Sequence, residues 1–123
     1  MNLSDTLKKF KYPSSLLCEN ENWKILLRPS QITFGSMVLI NKEEQNSKFS
    51  DLSESEQISM FNMIKKIEYI FSHYFEISKI NYLALMMVDP FVHFHVLPRH
   101  KEIIKFEKVS FKDSGFPGIP DLN

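Results

Sequence analysis

Phe91-Val92-His93-Phe94-His95-Val96-Leu97-Pro98-Arg99-His100 sets three of the chain's four histidines inside ten residues, in an apolar run interrupted by Pro98. The run predicts a strand over 91–97, started after Asp89-Pro90 and closed by Pro98. Successive strand side chains point to opposite faces. Val92, Phe94 and Val96 therefore face a core, while Phe91, His93, His95 and Leu97 face the other way. Two imidazoles then stand side by side, roughly 7 Å apart by the strand repeat. Arg99 continues the same parity just past the strand end.

Upstream, Lys79 to Val88 is almost continuously apolar and too short for a long helix, which predicts a central strand buried on both faces. Before it, Ser53-Glu54-Ser55-Glu56 has the form of a capping box. Ile58, Phe61, Ile64, Ile67, Phe71 and Tyr74 then recur at three- and four-residue spacing, predicting one long helix ending near Phe75. Further back, Leu16 to Glu19, Trp23 to Leu27 and Ser36 to Ile40 read as strands, the first two as a hairpin around Glu19-Asn20-Glu21-Asn22. Ser4-Asp5 caps a short N-terminal helix through Phe10, and Pro13 turns the chain out of it. Downstream of His100, residues 101–123 form a weakly patterned tail, draped over the body by Phe116 and Ile119.

Composition narrows the function classes. The chain has 123 residues, the size of one domain, with 15 basic and 15 acidic side chains and a formal net charge of +0. Bulk-charge binding of duplex nucleic acid is thereby disfavoured. No apolar run approaches the ~18 residues of a membrane span, and Met1 to Lys11 has no apolar centre of the kind a signal peptide carries. Cys18 is the single cysteine, which excludes an intrachain disulfide and fits a reducing cytoplasm. Lysine outnumbers arginine, which occurs only at Arg28 and Arg99, and Ala84 is the lone alanine. That is the usage of an AT-rich, bacterial genome. An arginine retained against such bias is a candidate anion contact, because its planar fork suits phosphate.

Three chemistries fit His93 and His95. The pair can be structural, bonded to backbone. It can be half of a metal site, since His-x-His on a strand suits zinc, with Cys18, His73, His100 or Asp89 as further ligands at no recognisable spacing. Or one histidine is a nucleophile and the other binds the same phosphate, with Arg99 neutralising charge. His73 reads as a helix-end residue favoured by the dipole, and His100 as a group that could sit over the pair.

The stretch resembles the signature of the histidine triad (HIT) superfamily, His-φ-His-φ-His-φ-φ with φ apolar, often followed by Pro-Arg. The resemblance runs from about Leu16 to Arg99. It takes in the early hairpin, Phe34-Gly35 leading into Ser36-Met37-Val38-Leu39-Ile40, and Asp51-Leu52-Ser53 before the long helix. It implies an α+β fold: an antiparallel sheet of about five strands with one long helix and a short N-terminal one, in a single domain over 1–123 with its core at about 16–100. It also implies attack by His93 on the α-phosphate of a nucleoside phosphate ester, anhydride or phosphoramidate, through a nucleotidyl-histidine intermediate. His95 and Arg99 would hold phosphate; Arg28, Ser36 and Asp89 would contact the nucleotide. The resemblance further implies a nucleotide as the small-molecule partner, a homodimer, and chemistry that requires neither metal nor organic cofactor. Phe91 stands where the signature has its first histidine. Gly35-Ser36 replaces a frequent Gly-His, and the position of the Asn or Asp that often holds the ribose falls near Leu27-Arg28. The alternative within the same fold is a nucleotide-binding protein without turnover.

Overall fold

The computed structural model of the chain describes residues 2–122. In chain order it runs α1 (Leu3–Lys9), β1 (Leu16–Glu19), β2 (Trp23–Leu27), β3 (Met37–Asn41), a 3-10 turn over Phe49–Asp51, α2 (Glu54–Tyr74), β4 (Lys79–Leu83), β5 (His93–Arg99), β6 (Ile104–Phe106) and β7 (Val109–Phe111). The main sheet has the order β1-β2-β3-β5-β4, with every neighbouring pair antiparallel, and β6-β7 form a separate hairpin. Among the described residues no helix is long and apolar enough to cross a membrane.

The central strand is β3, not the 79–88 stretch. All five β3 residues are buried, which requires cover on both faces. On one face α2 packs Met63 and Ile67 against Trp23, Ile25, Met37, Leu39, Val92 and Val96. On the other, α1 and the segment after it bring Leu3, Leu7, Phe10 and Tyr12 onto Leu26, Val38 and Ile40. Lys79–Leu83 is instead an edge strand, half-buried, and its apolar continuation Leu85, Met87 and Val88 is exposed.

The capping box at α2 forms as expected: Glu56 N donates to Ser53 Oγ at 3.2 Å, and Ser53 N to Glu56 Oε1 at 3.0 Å. The other Glu56 oxygen accepts from Asn41 Nδ2 at 2.9 Å and Asn46 Nδ2 at 3.0 Å, fixing the helix start to β3. Burial works to raise the Glu56 pKa, but these hydrogen bonds hold it below the ordinary carboxylate range. The packed stripe of α2 is rotated from the expected one. Met60, Met63, Ile64, Ile67 and Phe71 face the sheet, whereas Ile58, Phe61 and Tyr74 are exposed. Both sets satisfy helical spacing; Trp23 decides between them, because its indole N–H donates to Glu56 O at 2.8 Å and pins that face inward.

Gly35 lets the chain enter β3. Its φ is +79°, and a Cβ there would meet the Phe71 ring at 2.6 Å. Phe34, next to it, sits among Phe71, Phe75, Phe106 and Phe111, so the β6-β7 hairpin is tied to the body by an aromatic cluster. Ile119 does not help: it is 84% exposed, while Phe116 is half-buried.

Candidate active site

The histidine stretch forms a strand two residues later than its sequence suggests, His93–Arg99, and Pro98 lies within it. Ile40 pairs with His93 and Val38 with His95. Directly opposed residues share a face, so both imidazoles lie on the α1 side of the sheet. Their ring centroids are 5.3 Å apart in an edge-to-face arrangement.

His93 is 3% exposed, and its Nδ1 lies 2.7 Å from Phe91 O. A carbonyl can only accept, so Nδ1 carries the proton and, in the neutral ring, Nε2 carries the lone pair. The acceptor is main chain. Phe91 therefore orients the nucleophile candidate without a polar side chain. His95 is half-buried against Phe10, with ring centroids 6.1 Å apart. Burial, followed by the charges of Arg28 and His93, pushes its pKa down to about 4. It is neutral near pH 7, and its buried Nδ1 has no hydrogen-bond partner among the described residues.

Asp89 is held beneath α1. Its Oδ1 accepts from Thr6 Oγ1 at 2.8 Å, and its Oδ2 pairs with the Lys9 ammonium. Burial would raise its pKa, but the Lys9 and Thr6 hydrogen bonds and the Lys9 charge hold the carboxyl below the usual range. Arg28 follows β2. Its backbone is fixed by its own N–H to Ser36 O at 3.0 Å and by Gln31 Nε2 to its carbonyl at 2.9 Å. Its Nε is buried with no partner among the described residues. Lys9, Phe10, Arg28, Val88, Asp89 and His95 line a cavity of about 430 Å³.

Two expected site residues are elsewhere. Arg99 is a correction. Its Nε donates to Asp113 Oδ2 at 2.7 Å, its Nη2 to Asp113 Oδ1 at 3.0 Å and its Nη1 to Asn81 Oδ1 at 2.8 Å. Because the strand continues through Pro98, Arg99 lies four residues, roughly 13 Å, along β5 from His95, and the tail occupies its guanidinium. Ser36 is fully buried in the turn before β3, donating to Thr33 O at 2.8 Å and accepting from Thr33 N at 2.9 Å; it does not line the cavity. His100 is also fully buried, its Nε2 accepting from Phe34 N at 3.1 Å and its Nδ1 donating to Glu102 O at 2.9 Å. It does not sit over the pair. His73 is exposed on α2, its ring stacked on Tyr69. For the His-x-His metal reading, no third His, Cys, Asp or Glu joins the pair as a ligand group among the described residues.

Thr6, Lys9 and Phe10 were not expected here. The signal existed: Leu3, Leu7 and Phe10 recur at helical spacing, which docks α1 by one face and brings Thr6 and Lys9 to its border.

The HIT domain family model matches residues 9–102, most of the chain. The chain belongs to the HIT-domain family. Among solved structures this HIT domain is similar to the histidine triad protein blr8122 from Bradyrhizobium japonicum, with TM-score 0.61 and 19% identity over 68% of this chain and 62% of that one. It is also similar to the C. elegans NitFhit protein, with TM-score 0.59 and 17% identity over 70% of this chain and 22% of that one. It thus spans less than two thirds of either protein, and at these identities the likeness is one of fold. No curated protein shows a significant match. Within the HIT domain, the sheet, α2 and the paired histidines on β5 are the elements shared by expectation and structure.

Proposed function

We propose that this HIT domain is a nucleotide hydrolase or nucleotidyltransferase working through His93. The observation that carries the reading is the 2.7 Å contact of His93 Nδ1 with Phe91 O, which leaves Nε2 as the basic nitrogen. Nε2 attacks the α-phosphorus of a nucleoside phosphate ester, anhydride or phosphoramidate. A P–N bond forms, and the bond to the leaving group breaks, its electron pair going with that group, which then takes a proton. Water, or another hydroxyl acceptor, next attacks phosphorus, gives up its proton, breaks the P–N bond and returns the imidazole. His95, neutral, donates one hydrogen bond to a phosphate oxygen. Arg28 lines the cavity beside His95, whereas Arg99 is taken up by Asp113. Asp89 positions α1 beside the nucleotide. The chemistry needs no metal.

The test is to incubate the full chain with adenosine 5′-phosphoramidate and with diadenosine polyphosphates and to record intact mass. An adenylyl adduct on the natural chain, absent from His93→Ala, is the expected result. Equal turnover by both proteins overturns the reading. Nucleotide binding with neither adduct nor turnover supports the second reading, a nucleotide-holding protein, which the 3% exposure of His93 favours.

For assembly we propose a homodimer joined along β4. Among the described residues the outer edge of β4 has no strand partner, and exposed Leu85, Met87 and Val88 follow it. An unpaired edge beside apolar surface favours pairing with a second copy. Light scattering at micromolar concentration giving a dimer mass is expected; a monomer mass refutes it. A reducing cytoplasm is the setting that the lone Cys18 fits.

A further inference from the structure

The cavity beside His95 has one more permanently basic side chain than it has acids. Lys9 and Arg28 line it and Asp89 is the opposing acid. Asp89 is already paired with Lys9, so the Arg28 charge is uncompensated there. The structure fixes Arg28's backbone at both its N–H and its carbonyl, yet leaves the buried Nε without an acceptor. A buried donor with no partner is destabilising in the free protein. Such a group is accounted for when a ligand supplies the acceptor. His95 Nδ1 is a second unsatisfied atom on the same cavity wall.

The register shows where Arg28 approaches from. Leu26, Val38 and His95 form one row across β2, β3 and β5, and Lys24, Ile40 and His93 form another. β2 and β5 both run antiparallel to β3, hence parallel to each other. Arg28 therefore lies level with Leu97, on the side of His95 away from His93. A phosphate attacked by His93 and held by His95 lies against that pair of rings. Arg28 thus lines the cavity from the opposite flank of His95, one group further along the ligand.

We propose that Arg28 forms a subsite for a second phosphate group, so that the preferred ligands carry one phosphate at the His93–His95 pair and another at Arg28. This rests on the phosphate-binding reading above and adds a substrate class to it. The guanidinium fork offers two parallel donors to a phosphate, and its Nε is one of them. The second phosphate can belong to an anhydride chain or to the sugar.

The test titrates the full chain calorimetrically with AMP, ADP and adenosine 3′,5′-bisphosphate. At least one of the two-phosphate probes should bind about tenfold or more tightly than AMP, the gain of one charge-assisted contact. A gain for ADP assigns the anhydride chain; a gain for the 3′,5′-bisphosphate assigns the sugar. Arg28→Gln should abolish the gain while leaving AMP affinity within about threefold, and Arg28→Lys, lacking the fork, should retain only part of it. Without ligand, the melting temperature of Arg28→Gln should equal or exceed that of the natural chain. Equal affinity for all three probes, survival of the gain in Arg28→Gln, or an equal loss of AMP and two-phosphate binding overturns the subsite. So does failure of both variants to fold, which would make Arg28 structural. A gain that depends on Arg28, with no adenylyl adduct on His93, would leave the subsite standing and remove the catalytic reading instead.

Discussion

Asp113, fourteen residues beyond Arg99 in the chain, receives both ends of its guanidinium fork, with the two side chains 6% and 1% exposed. Asp113 also accepts from His100 N at 3.2 Å. One carboxylate thus closes the end of β5 and anchors the tail. Breaking a buried pair leaves an uncompensated charge, at about 3–5 kcal/mol. Asp113→Ala should lower stability to urea by about 3 kcal/mol, and Arg99→Lys should lower it as well, because lysine cannot bridge both oxygens. Burial would raise the Asp113 pKa, but the Arg99 and His100 hydrogen bonds hold it below the ordinary range. The sign follows: the pair's contribution is whole above the unfolded pKa of ~3.9 and fades as pH falls through the lower folded value. Urea titrations between pH 2 and 7 check both claims, and an Arg99→Lys variant as stable as the natural chain refutes them.

The main-chain hold on His93 makes Phe91 replaceable. Losing the polar partner that orients a metal-ligating histidine costs about 10–100-fold, and a nucleophilic imidazole needs its tautomer fixed in the same way. Phe91→Leu should escape that loss, since the Phe91 carbonyl remains to accept from Nδ1. His93→Ala should cost ~1000-fold or more, as removal of a covalent nucleophile does. Steady-state turnover of the two variants on a phosphoramidate decides the matter. A large loss in Phe91→Leu, with the fold intact by circular dichroism, would show that the ring itself orients His93.

The alternating pattern of 92–96 and the capping box at Ser53 made β5 and α2 legible, because each encodes its own local geometry. What failed depended on distant partners. The 79–88 run is apolar for an edge and its exposed continuation, not for a strand buried on both sides, and no periodicity separates those cases. The α2 stripe has two solutions at helical spacing, and Trp23, thirty-three residues from Glu56, selects one. Arg99 has the right parity for the histidine face, but Asp113 claims it across a tail with weak pattern. Arg28 stood out as a candidate anion contact from its rarity alone, and its unsatisfied Nε needed the fold to be seen.

Asp89 ties the histidine-bearing strand to α1 through Thr6 and Lys9. Asp89→Asn removes the charge partner of Lys9 from a site where the carboxylate is 8% exposed. The loss should be about 1–3 kcal/mol, the range for a buried charge-assisted hydrogen bond. Lys9→Met should cost less, because its side chain is 45% exposed and the charge is screened. Hydrogen exchange of the α1 amides reads this directly. Protection should fall in Asp89→Asn well before global stability does, and unchanged α1 protection would mean that Leu3, Leu7 and Phe10 dock the helix unaided.

His95 gives stability a pH dependence of its own. Its folded pKa of about 4 lies below the ~6.5 of an unfolded histidine, chiefly because of burial and next because of Arg28. As pH falls from 6.5 to 4 the unfolded chain takes up a proton that the folded chain refuses, so stability must rise with pH across that window. The unscreened shift corresponds to ~3 kcal/mol; the ring is only half-buried, and solvent reduces this to about 1–2 kcal/mol. Asp89 and Asp113 act lower, below their unfolded value of ~3.9, so the two windows separate. Urea unfolding at pH 7, 5.5 and 4.5 should show the natural chain losing about 1–2 kcal/mol more than His95→Gln. A bound phosphate offers the imidazolium a partner, so saturating AMP should shrink that difference. Parallel pH curves for the two proteins would mean that His95 titrates as a solvated histidine, and the neutral-donor role given to it in phosphate binding would fall with that result.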